Sequence, residues 1–295
     1  MKKFATHLGM LLLALLLIAT LFDLAFTQVY LNSRPRTKTQ YLMQLKDKHI
    51  DYIFLGSSRS RDNISPDLIK AETGKTALNL GIYACRPDDL YLQLKLLLNN
   101  GVTFDKIFIQ LDYTYSDSLP SNIVGSEALP YIHTSAVVEK HVRENNPKFY
   151  SYYYIPFYRY IDNSYSIGFR NTFLTLFVKK DFNFDNGYEA QHKPFSDFKF
   201  PLPEKITATN PVVEKMRQLC AQKKLNVVFF NAPYCDNLSD YDYTEQLKLK
   251  VPELRDYSKA IKGNHYFTDC LHLNAEGSEM FTRLLIRDHM SAKTN

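Results

Sequence analysis

Two short segments far apart in the chain carry the residue types of a serine nucleophile and its base. The first is a Gly-Ser-Ser segment that ends at Ser58 and directly follows the apolar run 50–55. The second is an Asp-x-x-His segment formed by Asp269 and His272. A serine hydroxyl becomes a nucleophile when a histidine accepts its proton and a carboxylate orients the imidazole. We therefore predict that Ser58, His272 and Asp269 form a catalytic triad.

The elements that must join these segments alternate between strand and helix patterns. Gly56 permits a sharp turn at the end of the first strand, which would place Ser58 where open α/β sheets bind ligands. Alternation predicts a mostly parallel sheet covered by helices. The predicted strands are 50–55, 76–80, 106–111, 225–230 and, more weakly, 265–268, and the predicted helices are 65–73, 87–99, 211–223 and 275–289.

Three blocks in this order resemble the SGNH/GDSL hydrolases. The Gly-Ser-Ser segment stands at the nucleophile block, Asn79 and Gly81 form an Asn-x-Gly block, and Asp269 with His272 match the family's final block. The resemblance implies the SGNH hydrolase fold, a flavodoxin-like three-layer α/β/α arrangement with a parallel sheet. The Gly-Ser-Ser variant is similar to membrane-anchored acyl-transfer members, namely the D-alanyl-transfer protein of teichoic acid modification and the alginate O-acetylation proteins.

The resemblance also implies an oxyanion hole. The backbone N–H groups of Ser58 and Gly81 are its expected donors. The family's third block, Gly-x-Asn-Asp, departs here, because Thr114 stands where the oxyanion asparagine is expected. We expect the Thr114 hydroxyl to donate in its place.

Four further residues are candidate substrate contacts. They are Arg59, Asn79, Arg86 and Asp112, which lie in or just after the three blocks. The two arginines would face an acidic substrate, or would instead form surface salt bridges or helix-end contacts. The serines have an alternative too, since Ser57 and Ser58 could cap the next helix or bind an anion at its N-terminus.

The N-terminus has the pattern of a membrane segment. Two lysines precede an apolar run over 8–22 that continues through 24–26, close to the roughly 20 residues that a membrane-spanning helix needs. We predict an uncleaved signal anchor over 1–31 in preference to a cleaved signal peptide, then a tether over 32–49 and an SGNH hydrolase-like domain over 50–295. Cations on both sides of the run leave its orientation undecided. The resemblance implies a single pass through the cytoplasmic (inner) membrane, with the catalytic domain on the periplasmic or extracellular side.

An insertion over 113–205 interrupts the alternation, and we expect it to be mainly helical. Leaving the sheet at the carboxyl end of the third strand, it would form a lid or wall of the active-site crevice. Its tyrosines would stack on sugars or lie at a membrane interface, or the aromatic residues would be buried in a helical cap over the sheet. Its aromatic residues are Phe149, Tyr150, Tyr152, Tyr153, Tyr154, Phe157, Tyr158, Tyr160, Tyr165, Phe169, Phe173 and Phe177.

Composition and cysteine spacing limit the alternatives. The net charge of +5 is modest and the chain has no basic–aromatic repeat, so we expect no nucleic acid as partner. The four cysteines lack the close pairing of a zinc site, and we predict no metal. In an oxidising periplasm, Cys235 and Cys270 could form a disulfide that braces the Asp-x-x-His segment, whereas Cys220 is expected to be a small buried residue. A single glycine in the first loop argues against a nucleotide or flavin cofactor, and we predict none.

The predicted function is acyl transfer through an acyl-serine on an envelope or exported glycan. Water as acceptor would make the protein an esterase, and a sugar hydroxyl would make it an O-acyltransferase; the sequence leaves both open. The expected partners are the membrane, an acylated glycan or other envelope substrate, and an acyl-donor membrane protein. The missing third-block asparagine motivates an alternative, a non-catalytic glycan-binding or scaffold subunit of a modification or export complex.

Overall fold

The computed structural model describes residues 1–117, 120–197, 201–238 and 242–290. Its strands are β1 (Tyr52–Leu55), β2 (Ala77–Asn79), β3 (Lys106–Gln110), β4 (Val227–Asn231), β5 (Arg255–Asp256), β6 (Phe267–Asp269) and β7 (His272–Leu273). Its α-helices are α1 (Lys2–Asn32), α2 (Lys38–Gln44), α3 (Ser58–Arg61), α4 (Pro66–Thr73), α5 (Pro87–Asn99), α6 (Ile123–Ala128), α7 (Ala136–Asn145), α8 (Phe149–Tyr154), α9 (Tyr158–Asp162), α10 (Ser164–Ile167), α11 (Phe169–Phe177), α12 (Pro211–Gln222), α13 (Asp242–Lys250) and α14 (Ala275–His289). Short 3₁₀ helices cover Tyr113–Ser116, Leu129–Tyr131 and Asn264–Tyr266.

A five-stranded parallel sheet positions the predicted site. Its strand order is β2-β1-β3-β4-β5, which confirms the predicted α/β class and the first four strands. In register, Phe54 of β1 lies beside Phe108 of β3, which lies beside Val228 of β4. All four residues of β1 are buried, as expected for a parallel strand that is covered on both faces. β2 is added on one side of β1, and β3, β4 and β5 are added on the other, so the strand order reverses between β1 and β3. Ligands bind at such a point in doubly wound sheets.

The predicted fifth strand does not join this sheet. Residues 265–268 instead contribute to the 3₁₀ turn and to β6, which pairs antiparallel with β7 in a separate two-stranded hairpin. The fifth position of the sheet belongs to β5, a pair of exposed charged residues. The prediction failed there because an apolar pattern marks burial, and Phe267 is buried in the hairpin without belonging to the sheet.

Local signals set the helix boundaries around the site. The Ser65 hydroxyl accepts a hydrogen bond from the Leu68 N–H, Pro66 occupies the first turn, and Gly74 ends α4 with a φ of 70°. Asn274 caps α14 in the same way by accepting from the Gly277 N–H. The buried face of α14 packs on the sheet through Phe281. Because α14 directly follows the Asp-x-x-His segment, this packing helps to hold that segment in place.

The chain divides into two compact units. The first unit comprises residues 1–44 and 122–181, and the second comprises 45–121 and 182–295. Residues 32–49, predicted as a tether, include the helix α2. The predicted insertion 113–205 is shared between the units, because only its helical centre packs with the N-terminal helix.

The first unit is built around α1. This helix has 31 residues and a mean hydropathy of 2.5 in its most apolar window, so it is long and apolar enough to cross a membrane. Its carboxyl-terminal half contacts the aromatic helices: the Phe26 ring lies 4.9 Å from Phe157 and 5.3 Å from Tyr160. The Asp23 carboxylate accepts hydrogen bonds from Arg159 at 2.7 Å and from the Phe157 N–H at 2.7 Å. The buried aromatic residues of this segment pack within the first unit, around α1.

Candidate active site

The Gly-Ser-Ser segment turns the chain from β1 into α3. Ser57 caps α3 by accepting from the Arg59 N–H, and its own N–H and hydroxyl donate to the Gln110 side chain at 3.0 and 3.2 Å. Gly56 is required by close approach, because a Cβ there would lie 2.6 Å from Gln110 Oε1 and 2.4 Å from the Ser60 Cβ. The turn therefore fixes Ser58 at the carboxyl end of β1, as the sequence predicted.

The structure brings the three predicted triad residues together. The Ser58 Oγ lies 2.7 Å from His272 Nε2, and His272 Nδ1 lies 2.9 Å from each Asp269 carboxylate oxygen. Both distances are within the hydrogen-bond range that proton transfer requires. Ser58 is 8% exposed, and the His272 side chain is 22% exposed, so solvent reaches the pair from the imidazole side.

The hairpin turn between β6 and β7 holds the carboxylate in place. The Asp269 Oδ1 accepts the backbone N–H of Leu271 at 2.8 Å and of His272 at 3.1 Å. Burial acts to raise the pKa of Asp269, but the hydrogen bond and charge of His272 and these two N–H donors outweigh it and lower the pKa below its usual value. The carboxylate is therefore ionised, as an orienting group must be.

Arg59 is not a substrate contact, which corrects the prediction. Its side chain is fully buried, and the guanidinium donates to Asp112 Oδ2 at 3.1 Å and to Asn231 Oδ1 at 3.2 Å. It also donates to the carbonyl oxygens of residues 232 and 233, and its Nε donates to the Leu271 carbonyl at 3.3 Å. Burial alone would lower its pKa, but Tyr234 and Asp112 raise it. Arg59 thus joins the Gly-Ser-Ser turn, the ends of β3 and β4, and the Asp-x-x-His segment.

The predicted oxyanion donors are only partly free. The Gly81 N–H donates to Asn79 Oδ1 at 3.0 Å, and the Thr114 hydroxyl and N–H both donate to Asp112 Oδ1 at 3.0 Å. The predictions for Gly81 and Thr114 are therefore not supported by the geometry, because each donor already has an acceptor. The Ser58 N–H makes no hydrogen bond within the described part of the chain, which leaves it free to donate to an oxyanion.

The other predicted substrate contacts also serve the fold. Asn79 is fully buried and its amide donates to the carbonyl oxygens of Ser60 and Ile64 at 2.8 and 2.9 Å. Asp112 is 1% exposed and is surrounded by its donors, so substrate cannot reach it. Arg86 forms a surface ion pair with Asp117 at 3.3 Å, which is the structural alternative that the sequence left open.

A cleft of about 320 Å³ opens beside the imidazole. Asp269 and His272 border it, and Ser58 does not. The sequence missed its other lining residues, which include Tyr83 and four residues of the strap 182–197, a stretch without regular structure. Those four are Gln191, Lys193, Pro194 and Ser196. Within the second unit, backbone hydrogen bonds hold the strap in place; for example, the Ser196 N–H donates to the Thr268 carbonyl at 2.8 Å. The wall predicted from the insertion is thus supplied by its last part.

A disulfide joins Cys235 to Cys270, as hypothesised from their positions. The two Cα atoms are 4.5 Å apart, and Cys270 lies inside the Asp-x-x-His segment. The Cys235 N–H also donates to the Cys270 carbonyl at 3.2 Å. The disulfide therefore ties the hairpin turn to the loop after β4. Cys220 is buried in α12, as predicted.

Three residues whose side chains can ligate metals lie at the amino ends of the strands, opposite the edge where Ser58 lies. His49, Asp51 and Asp105 precede β1 and β3, and their ligand atoms lie within 4.8 Å of one another. The Lys75 ammonium already pairs with both carboxylates, at 2.6 Å to Asp51 and 3.2 Å to Asp105. This cluster is an exposed ion-pair network remote from the triad.

Comparison with protein-family models and with curated protein sequences finds no match.

Proposed function

We propose that this chain is a membrane-anchored serine acyl-transfer enzyme that acts through an acyl-serine on a cell-envelope or exported glycan. The observation that carries the proposal is the continuous chain of hydrogen bonds from Ser58 Oγ through His272 to Asp269. Those three side chains come from segments over two hundred residues apart, and a structural cap or an anion site would not need the imidazole between them.

In the proposed reaction, Ser58 Oγ attacks an ester carbonyl and transfers its proton to His272 Nε2. The negative charge on the carbonyl oxygen is stabilised by the free Ser58 N–H. The histidine then returns the proton to the departing alcohol, and the acyl group stays on Ser58. Water or a sugar hydroxyl next attacks the acyl-serine, gives its proton to His272 and restores the free serine. With water as acceptor the products are the free acid and the serine, and with a sugar hydroxyl the acyl group forms a new ester on the sugar.

We also propose that the second unit has the three-layer SGNH hydrolase arrangement. Its support is the strand order, the serine after β1 and the Asp-x-x-His segment directly before α14. On this proposal, α1 crosses the cytoplasmic membrane and the second unit lies on its outer side. The Cys235–Cys270 disulfide supports this side, because disulfides persist in oxidising compartments. An acyl-donor membrane protein would be its partner.

The test compares two serine variants of the full-length protein. Ser58→Ala removes the proposed nucleophile, so labelling by a fluorophosphonate probe and turnover of small acetyl esters should both be lost. Ser60→Ala is the matched control, because Ser60 lies in the same helix and its hydroxyl is buried without a hydrogen-bond partner among the described residues. Retained labelling of Ser58→Ala would refute the proposal.

One observation favours a second candidate, a non-catalytic glycan-binding subunit. Gly81 and Thr114 both have intramolecular acceptors, which leaves a single backbone donor for an oxyanion. This candidate predicts no covalent probe adduct on Ser58 and specific retention on immobilised envelope polysaccharide. An adduct mapped to Ser58 by mass spectrometry would exclude it.

A further inference from the structure

The helix α11 presents an apolar face that is largely exposed. Phe169 is 71% exposed, Phe173 51%, Leu176 54% and Phe177 69%. Their spacing of three, four and seven or eight residues places them on one side of the helix. Such a face is unfavourable in water, because each exposed aromatic side chain forgoes the favourable free energy of removing its apolar surface from water.

This face continues the apolar surface of α1. The Phe169 ring lies 6.3 Å from the Phe26 ring of α1. The Phe157 ring, which also contacts Phe26, lies 5.5 Å from the Phe22 ring of α1. The preceding residues of α1 are themselves exposed and apolar, for example Leu21 at 67%. A membrane that surrounds α1 would therefore also meet α11.

The position of the charged residue Asp23 along α1 indicates the depth in the membrane at which α11 would lie. A hydrocarbon layer of about 30 Å takes about 20 helical residues. Counted from Phe4, that length ends at Asp23, whose carboxylate pairs with Arg159 at 2.7 Å. A charged pair is costly inside the layer and is accommodated at its edge. Phe26, the contact of Phe169, lies within one turn beyond Asp23 and hence at the interface.

Basic residues border the apolar face. Arg170 on α11 and Lys179 and Lys180 just after it are exposed. Arg36 donates to the Leu174 carbonyl at 3.2 Å near the end of α11, which holds the helix against the segment that follows α1. Phenylalanine and leucine on one side with arginine and lysine at its margin is the composition of helices that lie in a lipid interface.

We propose that the face formed by Phe169, Phe173, Leu176 and Phe177 is immersed in the headgroup–acyl boundary of the same membrane that α1 crosses. The occupant is lipid, because the face is continuous with a membrane-spanning surface and its margin matches anionic headgroups. The inference rests on α1 crossing the membrane and is independent of the acyl-transfer chemistry. The first unit would then hold the chain to the membrane by two contacts, one across it and one along it.

The chain has no tryptophan, so a single introduced tryptophan reports depth without background. Phe173→Trp would be placed in full-length protein reconstituted in vesicles of phosphatidylcholine and phosphatidylglycerol. Part of the lipid would carry bromine either near the headgroup or near the chain end. We expect its fluorescence to be quenched several-fold more strongly by the shallow bromine than by the deep bromine.

Two control positions in the same unit define the limits. Leu16→Trp, in the middle of α1, should be quenched most by the deep bromine, which shows that the anchor is inserted. Lys140→Trp, on a charged face of α7 where Lys140 is 74% exposed, should be quenched by neither lipid. If Phe173→Trp misfolds, Phe177→Trp provides the same readout. The proposal would be overturned if Leu16→Trp were quenched while neither brominated lipid quenched the tryptophan on α11. This holds also if the emission of that tryptophan is blue-shifted, because the residue would then be covered by protein and not by lipid.

Discussion

Removal of the Arg59 side chain should destabilise the second unit more than any surface arginine change. Arg59→Met deletes a fully buried guanidinium and leaves the Asp112 carboxylate, 1% exposed, without its counter-charge. Breaking a buried pair in this way costs about 3–5 kcal/mol. For a unit of this size, that corresponds to a fall in melting temperature of roughly 6–20 °C.

The assay is thermal unfolding of the full-length protein, followed by circular dichroism. Arg283→Met is the control, because its side chain is 52% exposed and its pair with Glu72 should contribute at most about 1 kcal/mol. The double variant Arg59→Met with Asp112→Asn should recover part of the loss, since it removes the unpaired charge. An Arg59→Met melting temperature within about 2 °C of the unchanged protein, or no recovery in the double variant, would refute this account of the buried pair.

Two further outcomes follow from individual side chains. Burial, followed by the charge of Asp89, raises the pKa of Asp88 to about 6, so ionisation of Asp88 destabilises the fold as the pH rises from its unfolded pKa through 6. Asp88→Asn should therefore stabilise the protein by up to about 3 kcal/mol near pH 8 and by little near pH 4; equal effects at both pH values in thermal melts would contradict this. On the proposed function, Lys193→Ala should raise KM for anionic esters roughly two- to fivefold, as expected for one exposed ion pair, with neutral esters unaffected. A matching rise in KM for neutral esters would show that Lys193 shapes the cleft without recognising charge.

The central strands could be predicted because burial on both faces leaves an unbroken apolar run. β1, β3 and β4 each show this pattern, and all three lie inside the sheet. β5 could not be predicted in the same way. Its two residues, Arg255 and Asp256, are charged and exposed, and their place in the sheet depends only on backbone pairing with β4.

The positions of the triad residues were predictable, but the state of their neighbours was not. A serine after a strand and an Asp-x-x-His segment before a helix have positions that topology fixes. Whether the Gly81 N–H or the Thr114 hydroxyl is free depends on acceptors that only folding brings close. Arg59 follows the serine in sequence, yet its side chain is directed into the interior by five acceptors from three other segments. The strap residue Lys193 gave no signal, because an irregular stretch has no periodicity.

Asp269 and His272 are carried by one disulfide-tied hairpin, and this sets how the proposed activity would be lost. Displacement of the turn would carry imidazole and carboxylate away from Ser58 as a single body, with the hydrogen bond between them intact. On the proposed mechanism, such a motion would be all-or-none, because the serine would lose its base in one step while His272 kept its contact with Asp269.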